Sequence, residues 1–336
     1  MIRPLMLLSL PFLSLLSTVT PAAAQSVGTY SECKSTDDES ACKACLGRGG
    51  GIFYNYDKGT KQWVCGATSD MKPSKAFPKK EPPKKPALGK HYSTYATIQP
   101  GTTQMGSAPT EDGRGEEEKR TTVKLTRAYL IKATEVTHGE WYNVMGAPHW
   151  SYNEKCGMDC PAADVSWLEA VEYLNKLSQR EKLEQCYDTS GEFPVWTKGL
   201  ECKGYRLPTE AEWVMAARGG SNDARHGELD DIAWYTDNSG GNAHPVATKK
   251  PNAFGLYDMI GNVSEFVYDA WDYNTPAPNS VDPIRHKIGE AAMAGDRTKC
   301  GGDFFDGKHR ARAAARQAQP ASSHDDQIGF RPARTK

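Results

Sequence analysis

Residues 71–90 cannot contribute to a packed core, and they divide the chain. The run holds seven lysines, five prolines and one acid, Glu81. Proline holds the backbone extended and removes amide donors, and the lysines repel one another, so the run predicts a stiff, solvated spacer. An electrostatic contact with an acidic envelope surface is a second reading of the same lysines. The 336 residues must then fold as a short part before the spacer and a long part, 91–336, after it.

The chain opens with the pattern of a secretory leader over residues 1–24. Arg3 supplies the positive start, residues 7–16 the apolar stretch, and Ala22, Ala23 and Ala24 the small residues before Gln25. The apolar stretch is short for a bilayer span, and the first cysteine is Cys33, too distant to carry a lipid anchor. The expectation is a soluble protein in the periplasm or secreted. Removing Arg3 with the leader takes the net charge from −1 to about −2, which argues against nucleic acid as a partner.

Export delivers cysteines to an oxidising compartment, and this chain has nine. Residues 25–70 hold Cys33, Cys42, Cys45 and Cys65 in a segment too small to bury a sufficient core. Two disulfides are expected there, with a four-cysteine zinc site as the alternative. The single Cys-x-x-Cys spacing lacks the second knuckle of a zinc ribbon, and the pairing is open.

Within 91–336, strand-like runs occupy residues 121–125 and 128–137. Residues 166–181 read as a helix, because Trp167, Ala170, Val171, Leu174 and Leu177 recur at helical spacing behind Ser166 and Glu169. A second helix starts near Pro208, where Thr209 and Glu212 form a capping signature ahead of Trp213, Ala216 and Ala217. Residues 219–336 are rich in Gly, Asn and Pro and promise short strands at most. Both apolar stripes read as core.

Several motifs follow in fixed order. Thr134-Glu135-Val136-Thr137 precedes Trp141-Tyr142. Asp164-Val165-Ser166-Trp167 opens the first helix, and Tyr205-Arg206-Leu207-Pro208-Thr209-Glu210-Ala211-Glu212-Trp213 opens the second. Next come the run from Pro251 to Phe266, then Gly301-Gly302-Asp303-Phe304, and finally Gly329-Phe330-Arg331. This ordered set, over roughly residues 100–334, resembles the formylglycine-generating-enzyme (sulfatase-modifying factor) family. The resemblance implies an α+β fold, irregular and related to C-type lectins, with little regular secondary structure, beside the small disulfide-rich N-terminal module.

Enzymes of that family oxidise a substrate cysteine to formylglycine with a copper ion held by two cysteines after a Gly-Gly-Ser-Trp motif. Soft thiolates select Cu(I), and one thiolate would not hold it in a two-coordinate site. Here no cysteine follows Cys300, and Cys300 precedes the paired glycines. The resemblance is therefore to a non-catalytic branch, a pseudoenzyme, with no copper expected and no catalytic residues assigned. His309 with Asp306 could in principle form a substitute metal site, but Lys308 and Arg310 beside them oppose a cation. No Gly-x-Ser-x-Gly elbow is present.

The family's calcium motif falls on Asp258, Gly261, Val263 and Glu265, two carboxylates and two backbone carbonyls, which is hard-oxygen chemistry suited to Ca²⁺. Ordinary loop carboxylates are the plainer reading of Asp258 and Glu265. The family's second calcium motif has no counterpart over residues 226–244. The family's Trp-Glu-Trp is Ser264-Glu265-Phe266 here, and its Gly-Gly-Ser-Trp is Gly301-Gly302-Asp303-Phe304, so the peptide groove should be remodelled. Trp234, Phe266 and Phe304 are candidates for core packing. Cys156 with Cys160 would make a local staple, and Cys186 with Cys202 would pin the insertion between them. Cys300 is left over and expected to be buried.

The leading expectation is an exported regulator that binds a protein partner in the cell envelope, in the manner of family members that regulate a type VI secretion kinase pathway. Two alternatives stay open: a metal-dependent oxidase acting on a cysteine of a peptide or protein, and calcium-dependent carbohydrate binding through lectin-like loops.

Overall fold

A computed structural model describes residues 52–57, 62–67, 94–148, 156–191, 193–285 and 295–336. The leader, the spacer, Cys33, Cys42 and Cys45 lie outside the described residues. The chain divides into two compact units, residues 1–81 and 82–336. In the first, β1 (Ile52–Asp57) and β2 (Gln62–Ala67) form an antiparallel hairpin, with Ile52 opposite Ala67. Cys65 lies on β2.

The second unit mixes short helices and strands and leaves much of the chain in turns. β3 (Tyr95–Ile98) pairs with β6 (Tyr129–Lys132), and β4 (Gly101–Met105) pairs with β5 (Thr121–Leu125). Three helices follow: α1 (His138–Met145), α2 (Trp167–Arg180) and α3 (Glu210–Arg218). All three begin with a reciprocal capping box, built by Thr137 with Glu140, Ser166 with Glu169, and Thr209 with Glu212. Each box satisfies amides that the first helical turn leaves without partners. α2 starts one residue inside the expected 166–181, because Ser166 is the cap. The strand expected over 128–137 ends at Lys132, since Thr134–Thr137 turn the chain into α1, a helix the apolar pattern did not announce.

One ribbon, a helical turn and one sheet complete the unit. β7 (Tyr187–Asp188) pairs with β8 (Val195–Trp196), and α4 (Leu229–Ile232) is a single turn. β9 (Ser264–Ala270), β10 (Asp296–Cys300), β11 (Arg316–Pro320) and β12 (Ile328–Phe330) form a sheet ordered β11-β10-β9-β12, antiparallel except for β9 with β12. β13 (Ala333–Thr335) then pairs with β6, so the last residues tie two sheets together. β9 is buried along all seven residues, Glu265 and Asp269 included, and is longer than its sequence suggested.

The main core gathers Trp141, Trp167, Tyr173, Leu174, Tyr187, Trp196, Phe266 and Phe330 around α2. A second cluster sets Trp213 and Ala217 of α3 against Val123, Tyr129, Ile131, Met259 and Cys300. Both helical stripes thus face core. Disulfides join Cys156 to Cys160 and Cys186 to Cys202, and Cys300 is a buried free thiol. No helix among the described residues is long and apolar enough to cross a membrane.

Candidate functional site

β10 ends at Cys300, and two glycines carry the chain off the sheet at φ +97° and +71°. A Cβ on Gly302 would come within 2.7 Å of the Arg310 carbonyl oxygen, and one on Gly301 within 3.2 Å of the Trp213 ring. Only glycine permits this backbone so close to its neighbours. The turn delivers Asp303 into a buried position.

Asp303 organises the loop that follows. Its Oδ1 accepts the amides of Phe305 (3.0 Å) and Asp306 (3.1 Å), and its Oδ2 accepts the Ser264 hydroxyl (3.1 Å). Lys299 Nζ lies 3.9 Å from the same Oδ2. Burial, and then the charge of Asp306, push the Asp303 carboxyl up to about 6. The two departures from the family motif, Ser264 and Asp303, therefore bond to each other. Asp306 faces Arg310 at 3.8 Å, and the His309 carbonyl accepts from Arg312 Nε at 2.6 Å. Among the described residues no group of three His, Cys, Asp or Glu side chains could hold a metal ion. His309 with Asp306 thus gains no third ligand of these types.

Arg312 pins the far side of the loop. Its guanidinium donates to both carboxylate oxygens of Glu118 (2.8 and 2.6 Å), to Glu111 (2.6 Å) and to the Gly113 carbonyl (2.8 Å). The Phe304 amide donates to the Asn262 carbonyl, and the Phe304 carbonyl accepts the Ser239 hydroxyl (2.8 Å). Phe304 is buried, while the next residue, Phe305, is 53% exposed. Phe266 is core, but Trp234 is not. It is half-buried, stacks on His244 at 3.7 Å and carries Lys249 Nζ 3.9 Å from its ring centroid. The flat ring meets an imidazole and an ammonium there, which suits a surface better than an apolar interior.

Cys300 faces Glu265 and Arg316 across the sheet. Burial raises its thiol well above the ordinary range, which disfavours the thiolate form in the metal-free protein. No cysteine follows the glycines. The segment that would need two soft ligands instead presents Asp303 and Asp306, with Ser264 of β9 and Lys299 of β10 beside the first.

The four positions of the calcium motif lie on the turn into β9. Asp258 and Asn262 have φ +54° and +60°, and Gly261 has φ +75° with room for no Cβ beside the Trp234 carbonyl oxygen. Asp and Asn tolerate this region better than other side chains. Asp258 Oδ2 accepts the Ala247 amide (2.7 Å), and its buried carboxyl otherwise meets only the carboxyl of Glu135. Glu135 Oε2 has no donor from any other side chain or amide, while its Oε1 accepts from Asn262 (3.1 Å). Glu265 is heavily engaged: Arg331 bonds both its oxygens and the Trp213 indole donates to Oε2 (2.8 Å), which leaves a lone pair on Oε1. The donor set fits a hard cation through Asp258, with Glu265 sharing oxygens that Arg331 already holds.

These buried acids titrate upward. Burial lifts Asp258 to about 6 and Asp269 to about 7, and it lifts Glu135 well above its ordinary value, with the charge of Asp258 adding to the effect. A carboxyl whose folded pKa is raised favours the protonated fold. That stabilisation is complete below the unfolded value near 4 and is lost as pH rises through 6–7. His138, lowered to about 4 by burial, acts oppositely, but only below pH 6.5. The stability of the metal-free protein should therefore rise between pH 8 and pH 6, by on the order of 1 kcal/mol per strongly shifted carboxyl, and its melting temperature with it. Thermal unfolding across this range checks it, and a flat or falling profile would contradict it.

Sequence reasoning placed Glu135 in a motif but gave it no role, and it gave none to Lys299 and Arg312. The glycine pair marked the neighbourhood. The partners of Glu135 and Arg312 lie far away in the chain and carry no local signal.

Comparison with known proteins agrees with this architecture. Residues 79–336 match the sulfatase-modifying factor enzyme 1-like domain. Chaperone protein LppX of Paenibacillus barcinonensis is 30% identical over 194 residues, 47% of this chain and 68% of that protein. The formylglycine-generating enzyme of Thermomonospora curvata is 29% identical over 227 residues, 58% of this chain and 64% of that enzyme, so the match spans less than two thirds of the enzyme's length. Among solved structures, Treponema denticola variable protein 1 superposes with a TM-score of 0.61 at 31% identity, covering 72% of this chain and 95% of that one. With the match spanning residues 79–336 and the same α+β layout in a solved relative, the chain belongs to the sulfatase-modifying factor enzyme 1-like family.

Proposed function

We propose that the protein is an exported, non-catalytic member of its family that recognises a protein partner in the cell envelope. The observation that carries this reading is the loop after the paired glycines. Asp303 and Ser264 bond to each other at the entrance to the stretch where two thiolates would be required, Lys299 lies 3.9 Å from Asp303, and Phe305 stands exposed beside them. A single buried thiol cannot by itself give a redox ion a soft two-coordinate site. An exposed aromatic on a pinned loop suits recognition. The name of the relative LppX, a chaperone protein, also supports a binding role. The leader-like start and the family domain without copper ligands resemble TagR-like periplasmic regulators of type VI secretion.

Calcium belongs to the same proposal. Asp258 and Glu265 side chains with the Gly261 and Val263 carbonyls would hold it, and its double charge would offset the buried acids Glu135, Asp258 and Glu265, of which Arg331 bonds only Glu265.

Two measurements test the reading. Calcium should raise the melting temperature and flatten its pH 8 to 6 rise, and Asp258→Ala should abolish both effects. No shift at millimolar calcium would remove the metal from the proposal. Crosslinking in envelope extract should capture a partner that Phe305→Asp loses. Aldehyde formed from a cysteine-containing sulfatase-motif peptide under air and copper would overturn the non-catalytic reading.

A further inference from the structure

A cavity of about 370 Å³ opens between β3, β6, α2 and β13. It shares no lining residue with the Gly301–Arg316 loop or the calcium motif, so it stands independently of the proposed function. Its walls are aromatic and apolar, formed by Tyr95, Tyr173, Tyr205, Leu130, Leu177 and Pro332. Its volume is in the range of small-molecule sites, and a few placed charges in an apolar shell are how such sites fix a ligand's orientation.

Four charged side chains also line it. Two neutralise each other. Lys132 Nζ lies 2.9 Å from Glu140 Oε1 and also donates to the Thr134 hydroxyl (2.7 Å) and the Glu135 carbonyl (3.1 Å), so its three protons are used. This buried pair belongs to the framework. The other two do not pair with each other. Arg334, half-buried on β13, has its centre 5.5 Å from the Tyr205 ring, and its Nε is buried with no partner. It forms no ion pair among the described residues. Glu181, exposed just past α2, accepts the Tyr205 hydroxyl at 2.6 Å.

A guanidinium that meets only the hydroxyl and ring of Tyr205, with its Nε free and no carboxylate partner, selects a carboxylate. A carboxylate nearby, held by a tyrosine hydroxyl, selects an ammonium. We propose that this cavity binds a free α-amino acid with an apolar or aromatic side chain, its carboxylate on Arg334, its ammonium on Glu181, and its side chain between Tyr95, Tyr173 and Leu177. Only a free amino acid carries both charges on one carbon, whereas the end of a peptide supplies one of the two.

Isothermal titration of the purified protein tests this with L-phenylalanine, L-leucine, 3-phenylpropionate, phenethylamine and the dipeptide Gly-Phe. The expected result is saturable binding of at least one of the two amino acids. The other three compounds should bind about tenfold more weakly or worse. Arg334→Gln should weaken amino-acid binding about tenfold or more. Glu181→Gln should weaken it while leaving 3-phenylpropionate unchanged. Glu181 is exposed, so its variant keeps the test decisive if Arg334→Gln fails to fold. Absence of saturable binding by both amino acids, or equal binding of 3-phenylpropionate or Gly-Phe, would overturn the assignment. So would an affinity indifferent to Glu181→Gln.

Discussion

Replacing Arg331 with Met should cost the second unit about 3–5 kcal/mol, the range for stranding one member of a buried ion pair. The guanidinium is fully buried and grips both oxygens of Glu265, which is itself 1% exposed. It also donates to the Lys132 carbonyl (3.1 Å) and the Tyr257 carbonyl (3.0 Å), so one side chain joins β6, the calcium-motif turn and β9. Methionine fills comparable volume but leaves Glu265 charged and buried near Asp258 and Glu135. In denaturant unfolding the midpoint should fall without a change in slope, and the melting temperature should fall by about 10 °C. Adding Glu265→Gln to the variant should restore part of the loss, because the uncompensated charge is gone. A loss below about 1 kcal/mol would mean that the pair contributes little to this fold.

Trp167→Ala should be as severe, at about 3–5 kcal/mol. The ring opens α2 and packs among Tyr187 and Tyr268. Its indole donates to the Val267 carbonyl at 2.9 Å, and Arg297 lies 3.9 Å over its face. Truncation removes a large apolar surface, orphans a carbonyl of the central strand and leaves a buried guanidinium without the ring beneath it. Trp167→Phe keeps most of the bulk and a ring for Arg297, so its loss should be clearly smaller. Equal losses in the two variants would place the energy in the indole hydrogen bond and not in packing.

Much of α2 and α3 was legible because cap, acid and apolar stripe sit within a few residues of one another. Ser166 with Glu169 and Thr209 with Glu212 point to their own helices, and the structure forms both boxes. α1 carries the same device in Thr137 and Glu140, but it has only eight residues and a glycine in its first turn, so no stripe accompanies the cap. β9 was hidden for a different reason. A strand buried on both faces shows no alternation, and Glu265 and Asp269 look like surface residues until their partners are seen. Those partners, Arg331 for Glu265 and the amides of Glu210 and Arg285 for Asp269, are distant in sequence. The candidate site divides in the same way. The missing cysteines and the calcium motif are local facts, whereas the bond between Ser264 and Asp303 spans 39 positions.

The double clamp on the loop after the glycines has a consequence for association. Asp303 holds the amides of the next residues from within, and Arg312 anchors the far end to Glu118 and Glu111. Phe305 is thus displayed in a pose already set before any encounter. A partner docking on it would lose little freedom on the protein's side of the contact. Cutting either clamp should then slow capture and loosen grip together, although neither anchor touches what is captured.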